Sequence, residues 1–239
     1  MNIEVAEIGG VDVEIVRKNI KNLHIGCYPP AGRVRVAAPE RVSGEAIRVA
    51  VLTRMSWIRR KQAQFLSQPR QPVRKYVSGE THFYFGRPLR LEVEEWDKQV
   101  HRIVRSGADR LILKVPSGAD TGQRERWMAS WMKNRLRDWA LPRFDTWTTR
   151  LGVHPDWWGI RPMKTKWGSC NTDKRIIWLN SSLVKKPESM IDYVILHELA
   201  HLISPRHDQR FTAVLDREMP RWRSVRNELN ALPLEAWID

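Results

Sequence analysis

Cysteine and long apolar runs are scarce in this sequence, and their scarcity excludes two classes of protein. The 239 residues include two cysteines, Cys27 and Cys170, which lie far apart. A single possible pair is no disulfide framework, which excludes a small disulfide-stapled secreted domain and favours a reducing compartment. No stretch approaches the roughly 18 consecutive apolar residues of a membrane span, and the start of the chain does not resemble a secretory signal. We therefore expect a soluble cytoplasmic protein with no membrane partner.

Low-complexity segments and internal repeats are also missing from the sequence. Hydrophobic residues make up 42% and charged residues 28% of the chain, which is typical of a folded globular protein and excludes disordered and fibrous classes. Charge of one sign dominates, because 41 basic residues face 27 acidic ones and give a net charge of +14. This excess favours anionic partners, including nucleic acid, or serves only as a solubilising surface. No nucleic-acid-binding motif accompanies it.

Turn residues divide residues 1–120 into short segments that are rich in β-branched and aromatic residues. Such segments predict strands, and one apolar stripe at helical spacing predicts a helix over residues 43–67 with a basic outer face. Residues 1–120 are therefore expected to form a small β-rich domain with one basic helix. The predicted strands are 11–16, 23–27, 34–37, 82–85, 89–93 and 111–115.

The character of the chain changes near residue 120, and residues 121–239 are expected to form a second, mainly helical domain. Met128, Met132 and Leu136 lie at helical spacing, and Pro142 is expected to end or kink this first helix. A short β-hairpin is predicted from strands at 159–167 and 175–180. A helix then starts after Pro187 and runs to about residue 204, and a last helix is expected over 208–229. The expected fold class is α+β.

The motif that carries chemistry lies in the helix after Pro187. His197-Glu198-Leu199-Ala200-His201 is an H-E-x-x-H sequence. Its two histidines stand one helical turn apart on one face, so both imidazoles can reach a single ion. Zinc suits such a nitrogen-rich set, and it takes a third protein ligand while one position stays open for water. The alternative is a pair of histidines in an ordinary helix–helix contact.

The third ligand is expected to be His207. It follows His201 by the spacing of the H-E-x-x-H-x-x-G-x-x-H pattern, although Ser204 stands where that pattern has its glycine. The rival ligands are Asp208, beside it, and Glu218 in the last helix. Three neutral imidazoles on one Zn²⁺ ion lower the pKa of its bound water to about 7. Glu198 would then accept the proton of that water and pass it to the leaving group.

Several segments together resemble the YgjP-like family of metal-dependent hydrolases, which is often described as a metallopeptidase family. The resemblance implies a small β-rich domain followed by a minimal zincin domain, with His197, His201 and His207 as ligands and Glu198 as catalytic residue. Two positions depart from the family pattern: Asp208 stands where serine is usual, and Thr212 where tryptophan is usual. The matching positions are 163–170, 177–180, Leu183, Pro187, 191–194, 197–201 and 207–211, with 57–61, 78–80 and 85–87 in the first half.

The substrate has two candidate classes, peptides and nucleotides. The segment 167–170 is expected to place a strand edge beside the metal helix, where an extended peptide aligns by backbone hydrogen bonds. Basic residues on both sides of the motif would suit a polyphosphate, and the family resemblance includes activity toward UTP. We expect a peptidase, with a UTP pyrophosphohydrolase as the alternative. The candidate substrate-binding residues are Lys164, Lys166, Trp167, Ser169, Arg206 and Arg210.

A third class of function is a basic nucleic-acid-binding protein with structural zinc. The sequence argues against it, because structural zinc sites are closed by four ligands and are rich in cysteine. Cys170 has two interpretations, a fourth ligand that silences the enzyme and a small buried thiol near a turn. The second interpretation fits its position beside Gly168 better.

Overall fold

The computed structural model describes residues 3–28, 31–67 and 74–232, and these divide into two compact units, 3–67 and 74–232. The strands that follow residue 74 share one buried core with the helices after residue 120; Leu91 and Leu111 from strands lie in the same cluster as Leu136. The boundary between the two compact units therefore lies before residue 74. The predicted boundary at residue 120 marks the place where strands give way to helices.

The first unit is a four-stranded sheet with two helices. Strands β1 (Ile3–Ile8), β2 (Val11–Lys18), β3 (His24–Tyr28) and β4 (Arg33–Pro39) are arranged in the order β1-β2-β4-β3. The β2–β4 pair is parallel and the two outer pairs are antiparallel. Alternate residues of β2 and β4 are buried, as expected of strands with one covered face. The fully buried apolar residues of this unit are Val13, Val16, Val34, Val36, Ala38, Ile47, Val51 and Ile58.

The single helix predicted over 43–67 is two helices, α1 (Gly44–Thr53) and α2 (Met55–Ser67). Ser43 caps α1 by accepting a hydrogen bond from the backbone N–H of Ala46, as an N-cap serine does. Arg54 separates the helices, and its N–H donates to the carbonyl of Val51 in a tight last turn. The apolar periodicity runs through Arg54 without interruption, so this break has no signal in the sequence pattern.

The second unit begins with a sheet that repeats the arrangement of the first. Strands β5 (Thr81–Tyr84), β6 (Arg87–Trp96), β7 (Arg102–Ser106) and β8 (Arg110–Pro116) are ordered β5-β6-β8-β7, again with a parallel central pair between antiparallel pairs. In both sheets the last strand ends in proline, and the helix N-cap, Ser43 or Asp120, comes four residues later. The repeat lies in the topology and is not visible in the sequence.

The next helix, α3 (Thr121–Leu151), continues through Pro142, so of the two expected effects of this proline the helix end is wrong and the kink stays a prediction. An internal proline costs a helix about 3 kcal/mol or more. Ala140 and Phe144 on either side of it are buried in the core, and their packing offsets this cost. Asp120 and Gln123 form a reciprocal capping box at the start of the helix.

A small sheet and three helices complete the unit. Strands β9 (Trp157–Arg161), β10 (Gly168–Asn171) and β11 (Ile176–Asn180) have the order β10-β11-β9. A hairpin is present, but its first strand is β10 and not the expected segment 159–167. Residues 159–161 of that segment belong to β9, which pairs with β11 in parallel. A short 3₁₀ helix (Ser181–Lys185) leads to α4 (Glu188–Ala200).

The last predicted helix is divided into α5 (Gln209–Glu218) and α6 (Trp222–Ala231). Pro220 lies between them, and the residue before a proline avoids helical geometry. The α+β class is confirmed. None of the described helices is long and apolar enough to cross a membrane.

Candidate metal centre

Helix α4 carries the H-E-x-x-H motif, and its apolar face fixes the helix in the core. Ile191, Ile195 and Leu199 are fully buried and hold the helix in the core. His197 and Glu198 lie in its last turn, and His201 is its C-terminal cap residue with helical backbone angles. The two histidines are therefore presented together, as the spacing predicted.

His207 joins these two histidines in one cluster. One ring nitrogen of each of the three residues lies within 4.8 Å of the others, and the Nε2 atoms of His197 and His207 are 3.2 Å apart. Zinc–nitrogen bonds of 2.0–2.1 Å in tetrahedral geometry would place two ligand nitrogens about 3.3 Å apart. The donor set and this spacing fit a zinc ion.

The loop before α5 carries His207 to the cluster. The Ser204 hydroxyl lies 2.9 Å from both carboxylate oxygens of Asp208, and Asp208 caps α5 by accepting from the N–H of Phe211 at 3.0 Å. These hydrogen bonds hold the pKa of Asp208 below its usual range. The buried Phe211 ring packs within 5.0 Å of all three histidine rings. Serine thus stabilises the turn at the position where the longer motif has glycine.

The rival ligands have other partners. Asp208 serves as the helix cap just described, and Glu218 forms ion pairs with Arg150 and Arg217. Within the described part of the chain, neither residue belongs to the cluster of potential metal ligands, and Cys170 does not belong to it either. Burial and the nearby charge of Glu198 raise the pKa of the Cys170 thiol to about 11, which keeps the thiol protonated at neutral pH.

Two histidines of the cluster are held in the neutral state that metal ligands need. Burial, followed by the proximity of His201 and His207, lowers the pKa of His197 to about 3. Burial also lowers the pKa of His201. Neutral imidazoles keep a lone pair available for a metal ion.

Glu198 lies beside the cluster and is 5% exposed. Burial raises the pKa of its carboxyl to about 8, and the charge of Lys166 opposes that rise. Strand β10 passes directly over this carboxyl, and a Cβ atom on Gly168 would meet its Oε1 atom. A larger residue at position 168 would therefore displace the Glu198 carboxyl.

Tyr193 lies one helical turn before His197 and was not among the sequence-predicted site residues. Its hydroxyl is 3.3 Å from Nδ1 of His197. With the proton on Nδ1, the imidazole donates to this oxygen and leaves Nε2 free toward the cluster, which is the usual way an outer partner orients a metal-binding histidine. Asp192, in the same helix, accepts a hydrogen bond from the Trp147 indole.

A cavity of about 530 Å³ opens onto the cluster. Of the predicted substrate-binding residues, Lys166, Trp167 and Ser169 line it, whereas Lys164, Arg206 and Arg210 are not among its lining residues. Sequence reasoning missed the contributions of helix α6. The lining residues that were not predicted include Thr165, Thr172, Tyr193, Arg226 and Asn230.

A model of the YgjP-like metallopeptidase domain matches residues 23–232 of this chain. The chain belongs to the YgjP-like metallopeptidase family. The resemblance inferred from the sequence is thereby confirmed. Membership in this family also supports a hydrolase that uses a metal ion.

Two solved structures have limited similarity to this family member. The zymogen of Pyrococcus abyssi abylysin, a metallopeptidase, is 21% identical with a TM-score of 0.36, and the match covers 38% of this chain and 90% of abylysin. The metallopeptidase zymogen of Methanocaldococcus jannaschii jannalysin is 23% identical with a TM-score of 0.34, covering 39% and 92%. No curated protein matches the chain significantly.

Proposed function

We propose that the chain is a zinc-dependent metallopeptidase in which His197, His201 and His207 hold the metal and Glu198 is the general base. The observation that carries this proposal is the cluster of three histidines beside a buried carboxyl at the wall of an open cavity. A structural zinc site would be closed by a fourth ligand. The described cluster has three members, which favours an enzyme over a binding protein with structural zinc.

Each proposed role follows from the position of the residue. A zinc ion supplies Lewis acidity, which polarises water and a substrate carbonyl. Glu198 accepts a proton from the attacking water and donates it to the leaving amine, as a general base that then acts as an acid. Tyr193 orients His197 through Nδ1, and Gly168 leaves the space that the Glu198 carboxyl occupies.

The unpaired edge of strand β10 supports a peptide substrate. In the order β10-β11-β9 this strand is at the edge of its sheet, and its residues Gly168, Ser169 and Cys170 line the cavity. An edge strand offers unpaired backbone groups to an extended peptide, which adds to the sheet as another strand. Nucleotides lack such a backbone, and the family description names a metallopeptidase.

The proposal is tested by incubating the zinc-loaded chain with an unstructured polypeptide and identifying the products by mass spectrometry. We expect peptide-bond cleavage that is lost in Glu198→Gln while zinc content stays unchanged. Glu188→Gln is the matched control, because Glu188 lies in the same helix but is exposed in its first turn. Glu198-dependent release of pyrophosphate from UTP, without peptide cleavage, would replace the peptidase with a nucleotide hydrolase.

The remaining predictions form part of this proposal. They are one Zn²⁺ ion per chain and a cytoplasmic location. No comparison with known proteins supports a nucleotide or nucleic-acid partner. Zinc stoichiometry is measured by atomic emission on the dialysed protein.

A further inference from the structure

Helix α6 brings a cation to the cavity beside the histidine cluster. Arg226 and Asn230 lie one helical turn apart, and both line the cavity with His197 and Glu198. Residues at this spacing share one face of a helix. Their side chains therefore form one polar patch on the wall that α6 contributes.

The Arg226 side chain is held by an aromatic ring. Its guanidinium carbon lies 5.0 Å from the ring centroid of Trp222, a distance at which a cation is attracted to the ring face. Trp222 is buried, its ring is parallel to that of Tyr193, and its indole N–H donates to Asp216 at 2.7 Å. The platform under Arg226 is thus fixed by contacts on several sides.

The guanidinium of Arg226 has no carboxylate partner among the described residues. Arg223 provides a direct comparison, because it contacts the same Trp222 ring at 4.5 Å but forms an ion pair with Asp216. Of the described residues that line the cavity, Glu198 is the one that carries a carboxyl group.

We propose that Arg226, with Asn230, forms a specificity subsite that binds a carboxylate of the substrate next to the scissile bond. Guanidinium groups bind carboxylates through paired, charge-assisted hydrogen bonds, and an aromatic ring beneath the group limits the side-chain entropy lost on binding. The Asn230 amide adds a neutral donor. This inference rests on the proposed peptidase function and specifies its substrate as a peptide that carries an acidic group near the cleaved bond.

The carboxylate has two sources, the chain terminus of a peptide and an aspartate or glutamate side chain. In the first pair, cleavage of a peptide with a free carboxyl terminus is compared with cleavage of its amidated form. In the second pair, cleavage of a peptide with an internal glutamate is compared with cleavage of the same peptide with glutamine at that position. The pair that shows the preference identifies the source. We expect kcat/KM for the preferred acidic peptide to fall about 10- to 100-fold in Arg226→Gln, the range for lost hydrogen bonds to a charged group.

Matched variants separate this role from general effects. Arg226→Lys is expected to recover part of the activity because the charge remains, and Arg223→Gln is expected to behave as the unmodified chain. The neutral peptides should lose little activity in Arg226→Gln. An equal loss for acidic and neutral peptides, or an equal loss in Arg223→Gln, would overturn the subsite.

A binding measurement makes the inference independent of turnover. N-acetylglycine and its amide are titrated into the Glu198→Gln protein, and the indole N–H resonance of Trp222 is followed by NMR. Saturable, Arg226-dependent binding of the acid but not of the amide supports the subsite, even if the chain cleaves no peptide and the proposed function fails. Equal responses to acid and amide contradict it.

Discussion

A Cβ atom on Gly168 would lie 2.6 Å from Oε1 of Glu198, a distance at which one of the two must move. Gly168 is held in the β10–β11 hairpin opposite the fully buried Leu179, whereas the clashing atoms belong to the end of the Glu198 side chain, so we expect the carboxyl to shift. We predict that Gly168→Ala lowers kcat about 100-fold, as expected when a catalytic group is misplaced by about 1 Å.

Peptidase activity and zinc content are both measured in this variant. The zinc content is expected to stay unchanged. Gly44→Ala is the matched control, since a Cβ atom there meets nothing within 4 Å. Full activity in Gly168→Ala would show that the position of Glu198 is not critical.

The choice of third ligand leads to a second prediction. His207 lies in the cluster, while Glu218 is paired with arginines. We therefore predict that His207→Ala loses stoichiometric zinc during dialysis and that Glu218→Gln retains it. Zinc is quantified by atomic emission, and far-ultraviolet circular dichroism checks that both variants are folded. Zinc retained by His207→Ala and lost from Glu218→Gln would reverse the assignment.

The Tyr193 hydroxyl gives a third prediction. Its hydrogen bond fixes the orientation of His197, and removal of such an outer partner typically weakens metal binding 10- to 100-fold. We predict that Tyr193→Phe raises the zinc dissociation constant about 10-fold, measured by competition with a chromophoric chelator. Tyr84→Phe removes a half-buried phenol that does not line the cavity and should leave zinc affinity unchanged. Equal affinities in the two variants would argue against an orienting role.

The buried side chain of His82 leads to a prediction of how the stability of the folded protein depends on pH. Burial is the main cause that lowers its pKa to about 4, although the Glu80 carboxylate beside it acts in the opposite direction. Between pH 6.5 and pH 4 the unfolded chain binds this proton and the folded chain does not, so acid favours unfolding. The free energy of unfolding is expected to fall by an amount on the order of 3 kcal/mol over this range.

Urea denaturation at several pH values measures this dependence. In His82→Gln the contribution from position 82 should disappear, so the stability difference between the variant and the unmodified chain narrows as pH falls toward 4. A difference that is constant with pH would show that the ring titrates normally.

The sequence pattern predicted the inner strands of the sheets better than the outer strands and the ends of helices. All four inner strands of the two four-stranded sheets, β2, β4, β6 and β8, were predicted, whereas of the four outer strands β3 and β5 were predicted and β1 and β7 were missed. Ile3 and Val5 of β1 are more than half exposed, so the apolar residues of this strand do not mark a buried face. At Pro142 the sequence pattern allowed a helix end that the structure does not have. The packing of Ala140 and Phe144 maintains the helix across this proline.

The sequence by itself determined the presence of a helix that presents His197, Glu198 and His201, because helical periodicity alone sets the spacing of these residues. Only the tertiary structure decided which other residues surround them. Lys166 lines the cavity and Arg210 does not, and helix α6 supplies Arg226. These positions depend on how β10, the loop before α5, and α6 pack against α4. Such contacts join residues distant in sequence, and local patterns of hydrophobicity and charge do not encode them.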